Sequence, residues 1–411
     1  MNQLPALLFR TVLGALSLLL YFAAPAAAQH GSSEPDTTQP DTGIPQKDIF
    51  DVIYAVLKKE RKDGGHKESQ FSVIPGLSWA PQTGWSASLA TVMAFRSPSA
   101  PRGQKTSNIL AGISYTQYNQ IILPVHVIHW TRNNRMNLVL NARYMRFPNK
   151  TYGLGPHTKA SDVYTINFNY LKLHPTVLFR LRSNLYGGPI YFYDRFTRVT
   201  EVDPKPGVVT DFQKYGLQPS VTASGVGVRV LYDSRRSLIK PVNGWFASAT
   251  VRINPTGLGS TNSWQSVVLE GRHYIPFPRK SRNILALWSY NWLTVGGGRP
   301  PYLLLPSNAW DDWHNTGRGY VQGRYRGRNL LFFESEYRME FSRSGLLGGT
   351  VFANAQAYPE NPLEGLGRVL PAVGAGIRIK LNKYSGTNIA LDYGFGVNGS
   401  QAISMNLGEV F

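Results

Sequence analysis

The chain has 411 residues, a formal net charge of +19 and no cysteine. That length allows one large domain or two ordinary ones, and the missing cysteine excludes disulfides and thiolate metal sites. An excess of basic charge this large suggests acidic partners.

Residues 1–28, MNQLPALLFRTVLGALSLLLYFAAPAAA, hold one charged residue, Arg10, then an apolar run, then Ala26 and Ala28 at the spacing signal peptidase prefers. They read as a secretory signal cleaved before Gln29. A retained anchor would carry a positive flank where this run continues into small residues. With no Cys after the signal, a lipoprotein is excluded. For an exported chain the acidic partner within reach is outer-membrane lipid or lipopolysaccharide, not nucleic acid.

Residues 29–46 are rich in Ser, Pro, Asp, Thr and Gln and read as a disordered linker. Across residues 47–63, Ile49, Phe50, Ile53, Val56 and Leu57 recur at helical spacing behind Asp48, a capping residue, which predicts a short amphipathic periplasmic helix. Its basic end, Lys58, Lys59, Arg61 and Lys62, fits either a solvated terminus or an interfacial or plugging element.

From Phe71 onward the period changes to two. Sixteen strands are predicted near residues 71–80, 84–96, 106–118, 121–130, 135–147, 161–172, 185–196 and 221–232, then 244–253, 264–275, 283–295, 330–341, 348–358, 372–381, 388–396 and 403–411. Phe333, Tyr337, Met339 and Phe341 oppose Glu334, Glu336, Arg338 and Glu340. Ile377, Ile379 and Leu381 oppose Arg378 and Lys380, and Tyr164, Ile166, Phe168 and Tyr170 oppose Thr165, Asn167 and Asn169. A soluble sandwich also alternates. Runs of ten or more residues, 22 Tyr, 19 Phe and 9 Trp gathered at segment ends, and an even strand count favour instead an all-β, 16-stranded antiparallel transmembrane β-barrel over residues 71–411.

The motif Arg318-Gly319-Tyr320 in a long loop before a strand bearing Glu and Arg resembles the signature of the BamA/TamA-like outer-membrane barrel superfamily, whose barrel is also called the bacterial surface antigen domain. LYDSRRSLIKPVNGWFASATV (231–251), ALDYGFG (390–396) and MNLGEVF (405–411) extend the resemblance over residues 71–411. It implies that the loop folds back into the lumen and that Arg318 packs against polar residues of the inner wall. The expected partners are Glu334, Glu336, Asn354 and Asp392. Asn354 stands where the family usually has Asp, as an amide able to accept from the guanidinium, and Gly317 stands where an aliphatic residue is commoner. Gly408 and Phe411 are expected on the closing strand, with Phe411 as the assembly signal. Arg324, Arg326 and Arg328 are expected to substitute for one another. Members with established assembly or secretion roles carry periplasmic POTRA domains, and residues 29–70 are too few for one.

No cofactor, metal site or catalytic group is expected. His126 and His129, three apart in a strand, face opposite ways. Asp311, Asp312 and His314 read as a solvated loop, and Gly296 to Gly298 as turn chemistry. The resemblance implies a non-enzymatic barrel in the outer membrane of a Gram-negative bacterium, delivered by the assembly machinery. It acts either in insertion or translocation of client outer-membrane proteins, or as a plugged or passive channel.

Overall fold

The structure, a computed structural model, describes residues 45–58, 69–80, 82–95 and 104–411, apart from residues 203, 205, 236, 238, 239, 313, 384 and 385. The signal segment, nearly all of the linker and the basic end of the predicted helix after Lys58 lie outside the described residues. A short helix, α1 (Ile49–Val56), precedes a single antiparallel sheet.

Its strands are β1 (Ser69–Ala80), β2 (Gly84–Phe95), β3 (Ser107–Thr116), β4 (Ile121–Trp130), β5 (Met136–Arg146) and β6 (Asn149–Thr151). There follow β7 (Tyr164–Arg182), β8 (Leu185–Val202), a one-turn helix α2 (Asp211–Gly216), β9 (Ser220–Asp233), β10 (Gly244–Asn254), β11 (Trp264–Pro276) and β12 (Ile284–Val295). After a long loop come β13 (Leu330–Glu340), β14 (Leu347–Ala357), β15 (Val369–Asn382), β16 (Thr387–Gly396) and β17 (Gln401–Leu407). β5 and the three-residue β6 pair with consecutive stretches of β7, so they form one stave interrupted at Phe147 and Pro148. Sixteen staves result, each bonded to the next in sequence, and the sheet curls until β17 touches β1.

The wall is apolar outside and polar inside. On β15 Val373 and Ile377 are 56% and 51% exposed, whereas Arg378 is 4% exposed. On β13 Phe333 is 50% exposed while Glu334 and Glu336 are fully buried. A soluble sandwich would have the opposite arrangement; only a lipid-facing belt satisfies this one. Among the described residues no helix is long and apolar enough to cross a membrane.

β7 and β8 run to 19 and 18 residues, past the predicted 161–172 and 185–196. The strand continues past residue 172 although it carries Lys172, His174 and Pro175, because Lys172 is buried inside the barrel and Pro175 is paired with Leu140. These overlong strands project at the rim from which the loop 296–329 departs. There the apolar face of INFNYL points inward: Ile166, Phe168 and Tyr170 form a core with Phe196, Trp264 and loop residues Tyr302 to Leu305. Thr165, Asn167 and Asn169 take the outer face, as expected of staves that rise beyond lipid.

Candidate functional site

The loop joining β12 to β13 fills the lumen. Its own polar groups shape it: Ser307 bridges to Arg326, Asn308 donates to the Val321 carbonyl and accepts from Tyr325 N, and Asp311 accepts from Asn315 N, Thr316 N and Thr316 Oγ1. Bonds of this kind lower the cost of carrying the loop's backbone into a confined space.

At its tip Arg318 is 5% exposed and meets three carboxylates. Nη2 donates to Glu334 Oε1 at 2.5 Å and to Glu336, and Nη1 donates to Asp392 Oδ2 at 2.9 Å. The Phe352 ring centroid lies 3.7 Å from the guanidinium carbon. Burial works against the charge of Arg318, and the carboxylates overcome it, raising its pKa. The contacts reach from β13 to β16 because of the register between them. Phe352 pairs with Gly374 and Gly376 with Asp392, so β15 offers two glycines to the lumen between the acidic strands. Backbone approach is tight: a Cβ on Gly394 would lie 2.8 Å from Gly319 Cα. Gly319 itself has φ 99° and a Cβ there would lie 2.9 Å from Ala372 Cβ, so both conformation and space require glycine. Tyr320 closes the motif by donating to Pro371 O at 2.6 Å and accepting from Val397 N at 3.1 Å.

Three residues of this cluster escaped sequence reasoning. Arg338 donates to Glu336 Oε1, and Arg378 donates to Asp392 Oδ1 and to Glu409 Oε2. Arg338 shares the inner face of β13 with Glu334 and Glu336, and Arg378 that of β15 with Lys380, a signal visible in the alternation; Glu409 lies beyond the strand pattern. Asn354 does not accept from the guanidinium as expected. Its Nδ2 donates to the Arg318 carbonyl and to Glu334 Oε2, the acceptors within reach. With three carboxylates already on Arg318, a donor is what Glu334 lacks. Asn354→Asp replaces that bond with carboxylate repulsion. It is expected to cost about 1–3 kcal/mol, read as a lower urea midpoint for the folded band on unboiled gels.

The opposite wall holds the same loop with reversed charges. Lys172 of β7 pairs with Asp312, and Arg143 of β5 bonds the Asp312 carbonyl and His314 Nε2. His314 Nδ1 then carries the ring proton and donates to the Ala309 carbonyl, which also accepts from Gln322 Nε2. Burial and then Arg143 push His314 down to about 3, which keeps the ring neutral as an acceptor. Asp312, half exposed, and partly buried His314 therefore tie the loop to wall cations, and Asp311 braces the loop from within, in place of the expected solvated loop. The remaining arginines are not interchangeable either. Arg324 donates to Thr158, Arg326 to the Tyr302 and Leu305 carbonyls while fully buried, and Arg328 to the Gly296 carbonyl. Each reaches a different fixed acceptor, so none can take another's place.

The end of the chain also departs from expectation. β17 stops at Leu407; Gly408, with φ 95°, turns the chain off the strand. Glu409 then reaches Arg378 and Asn388, and Phe411, 4% exposed, stacks inside the lumen on Trp288 at 5.1 Å between ring centroids. Its main-chain oxygen accepts from Arg338 Nη2 at 2.8 Å. Ionic partners for Glu409 and an aromatic niche for Phe411 outweigh two more rungs of ladder. His126 is buried while His129 approaches Ser107, and no cluster able to hold a metal ion occurs among the described residues.

No protein-family model and no curated protein matches the sequence. Among solved structures, BamA from Haemophilus ducreyi lacking POTRA domains 1–3 matches with a TM-score of 0.53 at 14% identity, over 85% of this chain and 71% of that one. CdiB from Acinetobacter baumannii matches with a TM-score of 0.49 at 10% identity, over 84% of this chain and 60% of that one. In fold, this chain is similar to the BamA barrel.

Proposed function

We propose that the protein serves insertion or translocation at the outer membrane, its seam between β1 and β17 parting to admit a client strand by edge pairing. The observation that carries this reading is the mismatch at the seam. β17 has seven residues against twelve in β1, and the chain turns inward at Gly408. At least five residues of β1 therefore face no β17 partner, a length of open edge that barrels otherwise abolish. The other staves each pair with their neighbours in sequence over six or more residues. In this reading the rim bearing α1 faces the periplasm, the loop 296–329 enters from the outer side, and lipid, lipopolysaccharide and client proteins are the partners.

A second reading, a plugged barrel without insertase activity, is favoured by the loop's anchorage to both walls. Because the chain has no cysteine, one disulfide between a cysteine in Ser69–Ala80 and one in Gln401–Leu407 separates the two. Under the first reading, locking the seam abolishes the protein's contribution to membrane assembly and reduction restores it. Unchanged assembly with the seam locked would leave the plugged barrel.

A further inference from the structure

We propose that α1 is an in-plane membrane anchor, seated in the headgroup layer of the leaflet beneath the barrel's α1-bearing rim. The inference rests on the barrel lying in a membrane and goes beyond the function proposed for its seam.

A helix of eight residues has too few internal hydrogen bonds to persist alone, so its position must be imposed from outside. Here the imposition is polar and confined to the first turn. Asp48 and Asp51 form a reciprocal capping box, in which Asp51 N donates to Asp48 Oδ1 and Asp48 N to Asp51 Oδ2. The barrel grips the same residues. Lys383 N donates to Asp48 Oδ2, Lys383 Nζ donates to Asp51 Oδ1, and Lys47 N donates to Ser344 O. Ser344 and Lys383 lie in the turns after β13 and β15, so α1 is clamped to one sector of one rim.

These clamping bonds are made by carboxylate, ammonium and main-chain groups. At 100° per residue Asp51 and Lys58 fall on one side, and Val52, Ile53, Val56 and Leu57 on the broad opposite arc. No helix residue is buried, and Ile53, Leu57 and Val56 are 43%, 59% and 76% exposed. An uncovered arc of this kind marks a surface awaiting a partner.

Two features select lipid. The rim that clamps α1 also carries exposed apolar residues facing outward: Phe341 and Leu347, on either side of Ser344, are 65% and 47% exposed. Basic residues also bracket the arc, with Lys47 before it, Lys58 after it and Lys59, Arg61 and Lys62 next in sequence. An apolar arc edged by lysines suits a layer of anionic phospholipid headgroups.

The test places an environment-sensitive fluorophore on single cysteines at Ile53→Cys, Val56→Cys, Lys58→Cys and Val373→Cys, in nanodiscs of phosphatidylethanolamine and phosphatidylglycerol. Brominated acyl chains report lipid contact and an aqueous quencher reports water. Lipid quenching at positions 53 and 56 is expected to be several-fold stronger than at 58 and to weaken when phosphatidylglycerol is replaced by a neutral lipid, with position 373 unaffected by that change. Strong quenching at 373 with none above the position-58 level at 53 and 56 would overturn the anchor and leave the membrane barrel standing. Quenching at none of them would remove the barrel premise and the anchor together. Shielding of 53 and 56 from both quenchers would assign the arc to a protein partner and likewise overturn the proposal.

Discussion

Arg318→Ala is expected to lower the stability of the folded barrel by about 3–5 kcal/mol, because it strands buried carboxylates rather than merely deleting contacts. Glu334 and Glu336 are fully buried and Asp392 is 1% exposed, and Arg318 is the cation that touches all three. Arg338 and Arg378 compensate Glu336, Asp392 and Glu409 in part, but Glu334 loses its guanidinium partner outright. The measurement is the urea midpoint of the heat-modifiable band in reconstituted lipid. Arg318→Lys keeps the charge and loses the fork that spans Glu334, Glu336 and Asp392, so it should recover only part of the loss. Stability equal to the parent in Arg318→Ala would show that the loop is held by its other anchors alone, with Asp312 and His314 sufficient.

Phe411→Ala is expected to cost on the order of 3–5 kcal/mol by the same readout, the range for emptying a buried aromatic site. Phe411 lies against Trp288 and Tyr274, and the Arg338 guanidinium carbon sits 5.2 Å from its ring centroid. A double-mutant cycle with Trp288→Ala should show strong coupling, since the two rings fill one niche. Refolding into lipid without any assembly machinery separates this role from recognition. A destabilised barrel there locates the effect in packing, whereas parental stability combined with slow assembly in cells would return Phe411 to the part of assembly signal.

Much of the architecture was legible before any coordinates. All sixteen predicted staves begin within three residues of the observed strands, β4 and β10 among them, because one face of each strand meets lipid and the other the lumen, which imposes a period-two pattern. The excesses are instructive. β7 outran its prediction at Lys172, His174 and Pro175, since a lumen accepts polar residues within a strand. β6 escaped altogether, being a three-residue repair of one stave after a break at Phe147 and Pro148.

For the site, the motif singled out Arg318, Gly319 and Tyr320, and alternation placed Glu334 and Glu336 on the inner face. Those are local properties: a side chain's face follows from its parity along a strand. The counter-wall was illegible. Lys172 and Asp312 are 140 residues apart, and Arg143 and His314 are 171 apart. Nothing in either segment announces its partner, and a charge run in a loop looks solvated until a wall of opposite charge is brought against it. The same holds for Asn354, whose role as donor was settled by how many carboxylates converge on Arg318, and for Phe411, whose strand pattern was overridden by a niche built from β11 and β12.

The sequence by itself determined the strand count, the inside-out polarity and the identity of the motif loop, because each follows from short-range periodicity and composition. Only the tertiary structure decided where the loop is anchored, which arginine meets which acceptor, that the last strand stops short of β1's length, and that α1 leaves its apolar arc bare at the rim. Those outcomes depend on closing the sheet. Closure brings residues distant in sequence to within hydrogen-bond range, and the cost of leaving a buried charge unpaired then selects among the partners it has made available.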